Sequence, residues 1–232
     1  MSVSVRGLSA AYGQAQVLWD LDFDVEDGAV VGILGRNGAG KTTLLRALCG
    51  LHPGIRGQVL LDGRNMAGQG AEAIARLGVS VLREGGRLAA SLTVAQHLAL
   101  GQRLARLRGK EPASPAEVWR WFALLEPLQA RKAGLLSGGQ RQALALAVAF
   151  VARPRWILLD EPSAGLAPPV ARELFHNIGR FASTGVTILV VEQAPAWLEG
   201  IATFAHVLEV GRIVRSGPLA SFLGSDAAAR VV

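Results

Sequence analysis

Val30-Val31-Gly32-Ile33-Leu34-Gly35-Arg36-Asn37-Gly38-Ala39-Gly40-Lys41-Thr42-Thr43 decides how the rest of the chain is read. Val30–Leu34 is continuously apolar, as a strand buried on both faces of a parallel sheet is. Gly35 through Thr42 then match the phosphate-binding pattern G-x-x-x-x-G-K-[ST] in full. The glycines let the backbone N–H groups of residues 35–40 converge on an anion, and the helix expected over 42–51 adds its positive N-terminal dipole. In that pattern Lys41 reaches the β- and γ-phosphates and the Thr42 hydroxyl ligates Mg²⁺, with Arg36, Asn37, Ala39 and Thr43 completing the loop and first turn. An ordinary glycine-rich turn is the bland alternative. A strand leading in and a helix leading out argue against it.

Two further motifs lie downstream. Trp156-Ile-Leu-Leu-Asp160-Glu161 reads as a buried strand ending in two acids. Asp160 is placed to hold Mg²⁺ through water and Glu161 to polarise an attacking water; solvated acids at a strand end are the alternative. Leu136-Ser137-Gly138-Gly139-Gln140 opens a helix expected over 140–152, with Ser137 and Gln140 spaced as a capping box. Two glycines in a first turn cost about 1 kcal/mol each relative to alanine. Their presence is read as a second phosphate-binding helix terminus rather than a helix start alone.

Around these motifs the pattern alternates. Strands are expected at 17–19, 21–25, 58–61 and Val79–Leu82, with turns at Asp27-Gly28 and Asp62-Gly63 and a short helix at Ala71–Arg76. Over 84–136 strand signals vanish. Thr93 with Gln96 opens a helix at Val94–Leu107, and Ser114, Pro115 and Glu117 open another whose apolar face is Val118, Trp121, Phe122 and Leu125. From 137 the alternation resumes, with strands at 156–159 and 187–191, a helix at 171–182 and a hairpin at 207–215 around Gly211-Arg212. Residues 226–232 are expected to fray. Strands alternating with helices imply a mainly parallel sheet covered on both faces.

Composition excludes several classes. Of 232 residues, 50% are hydrophobic and 18% charged, too apolar for a disordered chain. No apolar run approaches the roughly 18–20 residues of a membrane span, and the N-terminus lacks the apolar stretch of a cleaved signal. A single cysteine, Cys49, permits no internal disulfide and suits a reducing compartment. The net charge of +6 rests on three lysines and scattered arginines and selects no partner by itself. The four histidines show no metal-ligand spacing.

Gly35–Thr42, Leu136–Gln140 and Trp156–Glu161 together resemble the Walker A, signature and Walker B motifs of the ATP-binding cassette (ABC) ATPases, and the resemblance spans the chain. It implies an α/β fold of the P-loop NTPase type over residues 1–232. A mainly parallel core sheet is flanked by helices, with an N-terminal antiparallel β subdomain and a helical subdomain at 84–136 inserted in the RecA-like core. It implies that Tyr12 stacks on adenine, and that ATP sits between the Walker A residues of one subunit and Ser137, Gly138, Gly139 and Gln140 of another. Three departures from the commonest pattern stand out: Arg83-Glu84 where glutamine is usual, Gln193 where histidine is usual, and Ser163–Pro168 without the usual aspartate. All three are similar to the branched-chain amino acid importer ATPases of the LivF type and to urea and amide importer subunits, although Arg83 departs even from these.

On that resemblance Gln193 joins Lys41 and Glu161 in catalysis by donating an amide hydrogen bond to the γ-phosphate. Glu84 acts through Mg²⁺ or through coupling contacts. The implied partners are a sister ATPase or a second copy, transmembrane permease subunits and, indirectly, a solute-binding protein, at the cytoplasmic face of the membrane. Other readings are a non-transport ABC ATPase acting on nucleic acid or ribosomes, an exporter-type ATPase, and a regulatory cassette that binds ATP without hydrolysis. The absence of a basic aromatic-rich patch, the presence of Gln193 and Ala167, and the intact Lys41, Asp160 and Glu161 weigh against these in turn.

Overall fold

In the computed structural model, which describes residues 2–223, ten strands divide into two sheets. The expectation for 226–232 lies outside the described residues. The first sheet is antiparallel, in the order β2 (Ala15–Val25), β1 (Val3–Tyr12), β4 (Ile55–Leu61), β5 (Arg64–Asn65). The second runs β10 (Arg212–Pro218), β9 (Phe204–Glu209), β3 (Val30–Leu34), β8 (Thr187–Glu192), β7 (Trp156–Asp160), β6 (Val79–Leu82). Its pairs are parallel except for the antiparallel edge strand β10.

Every residue of β3, β7 and β8 is buried. Their side chains alternate between two cores, as the strand period of two requires. Val30, Leu34, Ile157, Leu159, Ile188 and Val190 face the core shared with the helices that follow residue 84. Val31, Ile33, Trp156, Leu158, Leu189 and Val191 face the core shared with the antiparallel sheet and α1 (Lys41–Leu48).

The expected strands at 17–19 and 21–25 are one strand. Asp20 joins them in a left-handed conformation (φ 51°), and its N–H donates to Ser9 Oγ at 2.9 Å. β1 itself escaped the sequence reading because its alternation slips: pairing shifts between Val5 and Leu8, where Gly7 takes φ 58°. The helix expected to run to residue 51 stops at Leu48. Gly50 follows at φ 70°, where a Cβ would strike the carbonyl of Gln69.

The helical block contains α3 (Val94–Leu107) and α4 (Pro115–Trp121), and α2 (Ala71–Arg76) precedes it. Both expected capping boxes form. Phe122 and Leu125 are fully buried but lie past the end of α4, on or beside a 3₁₀ turn (Ala123–Leu128). Pro127 in that turn cannot continue an α-helical ladder. The block packs on α5 (Gly138–Val151), and α6 (Pro168–Ala182) covers the same face.

Arg108, just past α3, fastens the block to the core sheet. Its guanidinium donates to the carbonyls of Ala75 (2.9 Å), Ala152 (2.9 Å) and Val79 (2.8 Å) and to Ser80 Oγ (3.2 Å). Burial pushes its pKa down to about 10, which leaves it cationic at neutral pH. Among the described residues no helix is long and apolar enough to cross a membrane.

Candidate functional site

The phosphate-type loop leaves β3 and turns directly into α1. Gly35 N–H donates to the Glu192 carbonyl at 3.2 Å, and a Cβ at Gly35 would lie 2.5 Å from the carbonyl oxygen of Leu208. Ala39 N–H closes the turn on the Arg36 carbonyl at 3.2 Å. Gly40 takes φ 108° at the helix start, a conformation that L side chains resist. No side chain caps α1 and its first turn carries no acid, whereas α3, α4 and α5 each have a full capping box. The opening amides of α1 have no side-chain acceptor, as on α2 and α6, but here they follow the glycine loop.

Lys41 is 4% exposed, and its ammonium has a partner for each hydrogen: the carbonyls of Gly35 (2.7 Å) and Arg36 (2.9 Å), and Glu161 Oε1 (3.0 Å). Thr42 Oγ1 donates to Asp160 Oδ1 at 3.4 Å across the loop–strand gap. Burial raises the Asp160 pKa, the charge of Glu161 adds to the rise, the Thr42 bond opposes it and the charge of Glu84 adds again. Glu161 sits at φ 43°, a left-handed conformation costly for a residue with a Cβ. Its N–H is tied to the Val191 carbonyl at 3.0 Å. Gln193 Nε2 donates to Glu161 Oε2 (2.7 Å) and to Asn37 Oδ1 (3.0 Å), so one amide joins the strand-end acid to the loop.

Asn37, Gly40, Lys41, Thr42, Glu161 and Gln193 line a cleft of about 630 Å³, with Gly38, Thr43 and Glu84. Glu84 is brought there by the turn after β6, where Gly86 N–H donates to the Arg83 carbonyl at 3.0 Å. Gly85 and Gly86 both take positive φ, and a Cβ at Gly86 would lie 2.9 Å from the Arg141 carbonyl oxygen on α5. The donor set fits Mg²⁺: Thr42 and Asp160 offer oxygens alone, as a hard cation prefers. No group of three Asp, Glu, His or Cys side chains forms a metal cluster among the described residues. The remaining ligands of such an ion would come from phosphate, water or Glu84, which lines the same cleft.

Ser137, Gly138, Gly139 and Gln140 lie elsewhere. Ser137 Oγ accepts from Gln140 N–H (3.2 Å), and Gln140 Oε1 accepts from Ser137 N–H (2.9 Å). Gly139 lies so close to Val170 on α6 that a Cβ would overlap Cγ1, and a Cβ at Gly138 would touch Leu166 at 3.6 Å. Ser137, Gly139 and Gln140 line a second cleft with Ala143, Val170 and Asn177, which has no wall in common with the phosphate cleft. Tyr12 is also outside the phosphate cleft. Its hydroxyl accepts from Arg46 (3.2 Å), its ring tilts against His52 at 4.5 Å, and it is 39% exposed.

Glu192 went unread in the sequence. It ends the apolar run of β8 yet is buried, with Oε1 accepting from Ser163 N–H (3.0 Å) and Oε2 from Gln193 N–H (3.2 Å). Burial raises its pKa against those bonds. A charge closing the four-residue apolar run Ile188–Val191 was its available signal.

A lysine-tipped glycine loop facing a strand-end Asp-Glu pair defines a P-loop nucleotide-hydrolysing protein. The sequence profile of the ABC transporter family matches residues 18–164. The chain is 36% identical over 212 residues to the high-affinity branched-chain amino acid transport ATP-binding protein BraG of Pseudomonas aeruginosa, covering 91% of each chain. It is 33% identical over 211 residues to the probable branched-chain amino acid transport ATP-binding protein LivF of Archaeoglobus fulgidus, covering 90% of this chain and 89% of that one. It is also 37% identical to the spermidine/putrescine import ATP-binding protein PotA of Methylococcus capsulatus, over 93% of this chain and 55% of that one. The fold matches the ADP conformation of an ATP-binding cassette of an ABC transporter with a TM-score of 0.84, at 23% identity over 100% of this chain and 98% of that one. The chain belongs to the ABC transporter family, whose ATP-binding domains hydrolyse ATP to power transport, and the resemblance read from its motifs is borne out.

Proposed function

We propose that this chain is the ATP-hydrolysing subunit of an ABC importer for branched-chain amino acids or a related small polar solute. The observation that carries the hydrolytic part is the linked set of Lys41, Glu161, Gln193 and Asn37 across one cleft. The solute class rests on the similarity to BraG and LivF and on the resemblance of Glu84, Gln193 and Ser163–Pro168 to the pattern of LivF-type importer ATPases.

Thr42 and Asp160 would hold Mg²⁺, which when bound neutralises charge on the phosphoryl oxygens. The free amides of α1 and the Lys41 ammonium bind the phosphates. Glu161, once Lys41 turns to phosphate, accepts a proton from water, and Gln193 holds it in line while reaching the γ-phosphate. Tyr12, at the end of β1, supplies an aromatic face for adenine. Ser137–Gln140, in a cleft of their own, serve the nucleotide of a partner, a sister ATPase in preference to a second copy. The cassette would sit peripherally on the cytoplasmic face of the membrane.

A groove of about 290 Å³ between α2, β6, α3 and α5 is lined by Leu51, Ile74, Leu104 and Val148, and Leu100 and Leu107 are exposed on the same helix as Leu104. It is the place offered to permease segments. Glu84, on the turn that leans on α5, then acts in coupling.

Glu161→Gln tests the reading. Turnover should fall below about a tenth of the unaltered protein with Mg-ATP binding retained. Hydrolysis above that level removes Glu161 from the role of main catalytic carboxylate. Uptake of labelled leucine by the reconstituted importer, compared with urea and an amide, tests the solute.

A further inference from the structure

Glu192 is a buried carboxylate beside the phosphate cleft to which the mechanism above gives no task. Three segments of the site meet on this one residue. Its carbonyl accepts from Gly35 N–H (3.2 Å), where the phosphate loop begins. Its carboxylate accepts from Ser163 N–H (3.0 Å), just past the Asp160-Glu161 pair, and from Gln193 N–H (3.2 Å), the residue that grips Glu161.

The contacts continue from Ser163 to the second cleft. Gln142, buried on α5, donates from Nε2 to the Pro162 carbonyl at 3.4 Å. Leu166 lies over Gly138 and Val170 over Gly139. Residues 162–170 are therefore held at one end by Glu192 and rest at the other on the helix start formed by Ser137–Gln140. Packing alone does not ask for an acid here. An aliphatic residue would extend the apolar run 188–191, and a buried charge is costly unless its bonds are needed. The need is visible: without an acceptor, the Ser163 and Gln193 amides would each lose their bond to this side chain.

We infer that Glu192 is a positioning residue whose carboxylate fixes Ser163, at the start of segment 162–170, against Gln193 and so holds the Glu161–Gln193 pair in register with the phosphate loop. The inference rests on the ATPase reading above, because it takes that pair to serve hydrolysis.

Glu192→Gln keeps the shape, but its amide offers one oxygen and turns an NH₂ toward the second donor. In the full chain, with its partner subunit if turnover requires one, three quantities are measured: steady-state hydrolysis, affinity for a fluorescent ATP analogue, and amide exchange at Ser163. We expect kcat to fall about tenfold or more, with KM and analogue affinity within about twofold, and Ser163 exchange about tenfold faster. A merely structural residue would not split kcat from KM in this way. Unchanged turnover overturns the inference. So does loss of affinity in step with turnover, which would make Glu192 a support of the phosphate loop alone. Exchange at Ser163 is also read in the unaltered protein, where it must be protected; an unprotected amide overturns the tie even if the variant fails to fold. If the unaltered protein does not hydrolyse ATP, the ATPase reading fails, and Ser163 exchange still decides whether the tie exists.

Discussion

Replacing Arg108 by alanine removes the clamp between the helical block and the core sheet. Four hydrogen bonds go with it, to carbonyls on α2, on β6 and after α5, and to Ser80 Oγ. The clamp also covers the open side of an edge strand, since β6 has a neighbour only in β7. A bond from a charged donor contributes about 1.5–3 kcal/mol, and the guanidinium recovers part of that on returning to water. A net loss of about 3–4 kcal/mol follows, and at about 2–4 °C per kcal/mol for a chain of this size the melting temperature should drop by roughly 6–16 °C.

Differential scanning calorimetry of the nucleotide-free protein measures this directly. Limited trypsin digestion adds a local readout at Lys110, which is exposed just beyond the clamp and should be cut sooner in the variant. Arg108→Lys should recover less than half of the loss, because one ammonium cannot span carbonyls on three elements. A fall below about 3 °C would refute the reasoning, for it would mean that water replaces the guanidinium at under about 1 kcal/mol.

Two further outcomes are expected. Gly139→Ala drives a Cβ into Val170 and should cost about 1–3 kcal/mol in urea denaturation; pairing it with Val170→Ala should restore most of that, and a double-mutant cycle with no coupling would refute the contact. His206 is held neutral because burial pushes its pKa down to about 4, outweighing the pull of Asp24. Its folded pKa lies below the unfolded value of about 6.5, so the stability it contributes is whole above that pH and is lost as pH falls toward 4, by up to about 1.4 kcal/mol per unit. His206→Gln should flatten that part of the stability profile.

Much of the frame was legible because its signals are local. Val30–Leu34, Trp156–Asp160 and Thr187–Glu192 are nearly unbroken apolar runs, and a strand buried on both faces writes itself that way. The three capping boxes at Thr93, Ser114 and Ser137 were legible from residues three apart. β1 was not, since a bulge near Gly7 breaks the alternation by which a half-buried strand is recognised. Of the site, Lys41, Thr42, Asp160, Glu161 and Gln193 could be read from motif and position. Arg108 could not, because its partners are mostly backbone carbonyls, 29 to 44 residues away, and a carbonyl has no identity in a sequence. Glu192 was hidden for much the same reason: its carboxylate binds the backbone amides of Ser163 and Gln193.

The buried polar groups also explain why the site should respond to phosphate as a unit. Lys41, Asp160 and Glu192 are all buried around the ends of β3, β7 and β8, where the two apolar cores run out. All three hydrogens of the Lys41 ammonium are engaged. An anion that reaches it must displace a partner. Two of those partners are carbonyls of the loop itself; the third, Glu161, belongs to the opposite wall and carries the like charge of the incoming group. Repulsion therefore selects Glu161 as the partner to leave. Its carboxylate remains within reach of the Gln193 amide at 2.7 Å, so it is released from the lysine without being released from the site. On the mechanism we propose, binding phosphate and freeing Glu161 to act as base are then one event, and the left-handed backbone at Glu161 holds that carboxylate beside the cleft.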